Sequence, residues 1–180
     1  MQSKSKSSCD SNSNFKSMNS SDSNRNADRK NAAFRGIDQM IFLRPHHLLC
    51  TQGYSGKGYS DEFTVGMDRV TEALREDADI MVDITFSSDS ICEACPKRYE
   101  EGKCLDDDKV LFYDARVREI LGLEEKHYLY HELIDLLDTY LMSGNGDELL
   151  RAICGDCAWY PVSACSRNIL SKKYVKTSEE

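Results

Sequence analysis

Ile80-Met81-Val82-Asp83-Ile84-Thr85-Phe86 reads as a strand, because Ile80, Val82, Ile84 and Phe86 alternate with Met81, Asp83 and Thr85. It is the clearest strand in the chain. A strand needs a partner for its backbone donors and acceptors, and Ile41-Phe42-Leu43 is the only obvious one. The other periodic segments are helical. The expected fold is therefore mainly α (α+β): a small helical domain with a minor two-stranded element and cysteine-rich, metal-binding loops.

Upstream of the strand, Pro45 suits the first position of a helix, where its missing N–H costs nothing. That helix would carry His46, His47, Leu48, Leu49 and Cys50 and end at Gly53. A glycine-rich loop follows, and then Ser60 as N-cap with Asp61 and Glu62 in the first turn. Phe63, Met67, Val70 and Leu74 form the apolar stripe of the next helix. Downstream, Asp106 to Asp108 can cap a helix with Val110, Tyr113, Val117 and Ile120 inward and Gly122 at its end. Tyr128 to Met142 reads as another helix, and a short one from about Asp147 leads to Cys154.

Directly after the strand comes Ile91-Cys92-x-x-Cys95, with Cys104 after eight intervening residues. The pattern recurs as Ile153-Cys154-x-x-Cys157, with Cys165 after seven residues. A C-x-x-C turn points two sulfurs inward at one metal, and a third cysteine a loop away supplies most of a tetrahedral or cluster shell. Neighbours such as Glu93, Lys97, Lys103, Asp156 and Arg167 are charged, so these are not core segments. Cys92, Cys95, Cys104, Cys154, Cys157 and Cys165 are the expected ligands of an iron–sulfur cluster or of zinc. Each triad is one thiolate short, so the two are expected to converge.

Candidates to complete a site lie in Arg44-Pro45-His46-His47-Leu48-Leu49-Cys50. On a helix His46 and Cys50 are four apart and His47 and Cys50 three apart, so either histidine could share a metal with Cys50. The other reading makes one histidine a hydrogen-bonded core residue and the other exposed. Backbone amides near Gly155 are available to hydrogen-bond sulfur. His127 and His131 lack the glutamate of the H-E-x-x-H motif, since Tyr128 stands in its place, and read as a solvated helix face. Gly56-Lys57-Gly58 lacks the phosphate-loop spacing and reads as a turn before a capped helix, with an anion contact by Lys57 as the alternative.

The first 36 residues hold ten serines by position 23 and few aliphatic side chains, so they are expected to form a disordered tail. The metal-binding domain then spans 37–172 and a flexible C-terminus 173–180. The tail carries seven Lys or Arg against three Asp. The remaining residues therefore hold a net charge of −12 within a chain of −8. Such an acidic body is a poor match for a phosphate backbone, and no nucleic-acid partner is expected. No stretch approaches the roughly 20 apolar residues of a spanning helix, and no apolar secretory core is seen. A cytoplasmic protein off the membrane is expected, with a partner, protein or small molecule, that the residues do not identify. In the cytosol paired cysteines are metal ligands or redox groups rather than structural disulfides.

The chain resembles the prokaryotic domain-of-unknown-function family 1284. The resemblance rests on Arg44-Pro45-His46-His47-Leu48-Leu49-Cys50, on Gly53-Tyr54 with Gly56-Lys57-Gly58-Tyr59-Ser60, and on Ile91-Cys92-x-x-Cys95-Pro96. It continues through Cys154-Gly155-x-Cys157-x-Trp159-Tyr160-Pro161 to Cys165, covering roughly residues 41–170. It implies iron–sulfur binding, [4Fe–4S] before zinc, and supplies no reaction or substrate. Three functions stay open: an iron–sulfur protein in electron transfer, sensing or cluster-dependent chemistry; a structural zinc protein; and a C-x-x-C thiol redox enzyme.

Overall fold

The computed structural model describes residues 40–173 apart from 78 and 101. The expected tail, with Cys9, and most of the expected C-terminal segment lie outside the described residues. The described part runs β1 (Ile41–Leu43), α1 (His47–Gly53), α2 (Asp61–Glu76), β2 (Met81–Ile84), a 3-10 turn (Cys92–Ala94), β3 (Arg98–Glu100), β4 (Lys103–Cys104) and α3 (Asp107–Leu121). It continues through β5 (His127–Leu129), α4 (Tyr130–Met142) and α5 (Gly146–Cys154) to α6 (Cys165–Leu170).

β2 is the centre of the main sheet. Its alternation buries Val82 and Ile84 while Met81 stays exposed. β1 pairs with it in parallel, Ile41 opposite Val82 and Leu43 opposite Ile84. A parallel pair requires a crossover, and α1 and α2 supply it. The other edge of β2 is taken by β5, antiparallel, with Val82 opposite Tyr128. This third strand corrects the two-stranded expectation. His127, Tyr128 and Leu129 belong to it, and the helix that follows starts at Tyr130. His127 is thereby held in an ion pair with Asp83 rather than displayed on a helix face. β3 and β4 form a separate hairpin that presents Cys104.

The helices close over the sheet through their apolar stripes. Ser60 caps α2, its Oγ accepting from Phe63 N at 3.2 Å, a contact worth about 1 kcal/mol. Phe63, Met67, Val70 and Leu74 then point inward. α3 stops at Gly122, whose φ of +62° is left-handed and suits glycine. Leu133, Ile134, Leu137 and Leu141 of α4 meet Leu150 and Ile153 of α5 in a core shared with Leu43, Leu48, Leu49 and Val117. Pro45 and His46 form a turn ahead of α1 rather than its first residues. No helix among the described residues is long and apolar enough to cross a membrane.

Candidate metal centre

One close approach sets the position of the cysteines. Gly53 ends α1 against the start of α6, so near that a Cβ added there would lie 2.6 Å from Cys165 Cβ and 2.9 Å from its Cα. Asn168 Nδ2 donates to the Gly53 carbonyl at 3.2 Å and fixes the contact. Docked this way, α1 brings Cys50 to the C-x-x-C turn at the end of α5. Cys50, Cys154, Cys157 and Cys165 line one cavity of about 200 Å³.

Electrostatics show the same grouping. Crowding by protein atoms raises the Cys50 thiol pKa well above its usual value although the residue keeps an exposed edge, and Cys154, Cys157 and Cys165 raise it further. Cys154 is pushed up to about 12 by burial and then by Cys157 and Cys165. Thiols raised in this way need a cation nearby before they ionise readily. Among the described residues, no three of these sulfurs lie within 4.8 Å of one another. The amides around Gly155 are committed elsewhere, with Gly155 N donating to Arg151 O and Cys157 N to Cys154 O.

The first triad is arranged differently. Burial raises the Cys95 pKa, and Cys104 adds to the rise, while the Lys97 and Arg98 amides aimed at its sulfur pull it down. Cys104 Sγ accepts from Asp106 N at 3.5 Å. Cys92 instead lies by Asp89 and His47, the three offering ligand atoms within 4.8 Å of one another. The oxygens of Asp89 are already committed. Oδ2 accepts from Arg44 N at 2.7 Å and pairs with His47 Nδ1 at 2.6 Å. Oδ1 accepts from the Ile91 and Cys92 amides, both at 3.0 Å. Burial would raise the Asp89 pKa, but the His47 charge, its hydrogen bond and the Arg44 amide hold it down at about 2. The trio is thus a hydrogen-bonded hub that orients His47 and the Cys92 turn, with few lone pairs left for a metal.

His46 is held in parallel fashion. Asp114 Oδ1 pairs with its Nδ1 at 2.6 Å and accepts its backbone N–H at 3.1 Å. Arg44 Nε donates to Asp114 Oδ2 at 2.7 Å. Burial drives the His46 pKa down to about 4, and the neighbouring His47 charge contributes; Asp114 opposes both. The rings of His46 and His47 lie 4.1 Å apart, and both residues line the thiol cavity. With Nδ1 facing a carboxylate, each ring has Nε2 as its free nitrogen. Tyr113 lines the same cavity, 7% exposed, and its buried hydroxyl has no hydrogen-bond partner.

Asp89 and Asp114 were not among the residues singled out by spacing, Tyr113 was read only as an inward position of its helix, and Arg44 carried no role of its own. Two signals were present. Asp114 sits on the apolar stripe of α3, four after Val110 and three before Val117. Asp89 precedes Ile91 by the two residues of an Asx turn. Lys57 is exposed at the cavity, and Gly56 stands at φ +80° in a turn.

The family model described as "Protein of unknown function (DUF1284)" matches residues 58–163, more than half of the chain. Cys92, Cys95, Cys104, Cys154 and Cys157 fall inside that span; His46, His47, Cys50 and Cys165 lie outside it. No curated protein and no solved structure matches the chain.

Proposed function

The chain belongs to the DUF1284 family, and from the thiol grouping we propose that it binds an iron–sulfur cluster, [4Fe–4S], through Cys50, Cys154, Cys157 and Cys165. The observation that carries this reading is that four cysteines from three helices and a turn line one cavity. An all-thiol set suits either a cluster or a single zinc, and the family resemblance puts the cluster first.

Bound there, the cluster supplies one-electron redox chemistry. The chain's own part is to hold and shield it. Trp159, Tyr59 and Phe63 wall the cavity, with Tyr59 in edge contact with both of the others at 5.3 Å between ring centroids. A thiol redox enzyme fits less well. Reactive cysteines need depressed pKa values, whereas Cys50, Cys92, Cys95 and Cys154 are all raised, burial first among the causes.

The test is protein purified without oxygen. A brown solution absorbing broadly near 400 nm, with iron and sulfide in equal amounts, is expected. Cys50→Ser and Cys165→Ser should lose most of the iron, and Cys95→Ser should keep it. A colourless protein holding stoichiometric zinc would overturn the proposal, as would iron that depends on Cys95 but not on Cys50.

A further inference from the structure

The cavity holds more polar chemistry than a cluster uses. His46 and His47 turn Nδ1 to buried carboxylates, which leaves two oriented Nε2 atoms on residues that line the space. Tyr113 stands beside them, its ring 6.1 Å from that of His46. Its hydroxyl is buried without a partner, and an unmet buried hydroxyl is destabilising. Such a group points to a missing hydrogen-bond acceptor. Aromatic side chains, Tyr59, Phe63 and Trp159, supply flat walls.

We infer that this histidine–tyrosine end of the cavity is a binding site for a small planar molecule carrying an N–H beside a carbonyl or ring nitrogen, the edge shared by carboxamides and nucleobases. The complementarity is direct. His46 is neutral and has only a lone pair to offer at Nε2, so the ligand must donate to it. The Tyr113 hydroxyl is buried with its proton unpartnered, so the ligand should accept from it. A molecule with acceptors alone, such as a carboxylate, would leave the imidazole unpaired. The rim gives no net charge preference, since Lys57 and Lys109 are matched by Asp106 and Asp156. At about 200 Å³ the cavity is smaller than the 300–1,000 Å³ of drug-sized pockets and takes a single ring rather than a nucleotide. None of these polar groups is a thiol, so the site stands independently of the cluster proposal.

The experiment titrates uracil, nicotinamide and benzoate into anaerobically purified protein and into metal-free protein, with binding followed by calorimetry and by the ring resonances of His46 and His47. Saturable binding of uracil or nicotinamide to the anaerobically purified protein is expected, with shifts at both histidines. Benzoate, planar but without a donor for His46, should bind at least tenfold more weakly than either amide. Tyr113→Phe, which removes one oxygen and no packing volume, should weaken the bound probe about fivefold to tenfold while leaving iron content unchanged. The inference is overturned if neither amide probe binds at millimolar concentration, if benzoate binds as tightly, or if Tyr113→Phe leaves the affinity unaltered. Loss of iron without loss of probe binding would count against the cluster proposal alone.

Discussion

Replacing Gly53 by Ala tests the contact that gathers the thiols. The new Cβ would lie 2.6 Å from Cys165 Cβ, 2.9 Å from its Cα and 3.2 Å from its carbonyl oxygen. None of these is the end of a flexible side chain. To regain ordinary carbon contacts of about 3.5–4.0 Å, α6 must withdraw by roughly 1 Å and carry Cys165 away from Cys50. The Asn168 bond to the Gly53 carbonyl stretches with it. Alanine gains up to about 1 kcal/mol in helix propensity over glycine. Overpacking costs about 1–3 kcal/mol and the weakened hydrogen bond about 1 kcal/mol more. The net expectation is a loss of about 1–3 kcal/mol. Gly66→Ala calibrates the propensity gain, because at Gly66 the nearest atom is Ala94 Cβ at an ordinary 3.7 Å. That variant should be stabilised by about 0.5–1 kcal/mol. Urea midpoints at constant m-value give both numbers, and iron retained per chain reports on Cys165. A Gly53→Ala protein as stabilised as Gly66→Ala, with full iron, would refute the reasoning.

Other outcomes follow from the buried network and from metal removal. The folded pKa of His46, about 4, lies below its ordinary 6.5, so stability is complete above pH 6.5 and lost as pH falls from 6.5 toward 4. The loss is on the order of 3 kcal/mol; urea unfolding across that range should show it, and His46→Gln should flatten it. Asp89→Ala leaves the Arg44 and Ile91 amides and the His47 ring without their acceptor and should cost about 3 kcal/mol or more in a chemical denaturation series; a loss below 1 kcal/mol would show that water replaces the carboxylate. Chelation should raise hydrogen exchange in residues 154–167, where buried aliphatic side chains are few, and leave Val117 and Leu137 protected. Equal protection with and without metal would mark the site as an accessory to a preformed fold.

The helical part of the fold was legible where the apolar period was long. Val82 and Ile84, the Phe63-Met67-Val70-Leu74 stripe, the Ser60 cap and the Gly122 stop all followed from local chemistry. β5 was not legible. His127-Tyr128-Leu129 is three residues long, and its pattern runs without a break into the stripe of α4, so strand and helix merge in the sequence. The cysteine count and spacing raised the expectation of ligation but did not tell how the seven described thiols divide. Cys50 joins the second triad because Gly53 lets α1 touch α6, and that contact spans more than a hundred residues of chain. Asp89 and Asp114 escaped notice for a related reason: a buried carboxylate is recognised by the side chains that pair with it, and those lie 42 to 70 residues away.

The same α1–α6 contact has a consequence for the order of events in the cell. Cys50 and Cys165 are 115 positions apart, and a metal held by both closes a loop of that length. For a covalent cross-link of similar span, loop closure alone is worth about 4–5 kcal/mol. At roughly 5–20 residues per second of synthesis, Cys50 waits some 6 to 20 seconds before Cys165 exists. During that interval Cys92, Cys95 and Cys104 are already present and compete for any free metal. The four-thiol set comes together only when the last helix docks. On the proposed reading, metal loading belongs to the end of folding, as a clasp fastened on an assembled chain rather than a seed around which it forms.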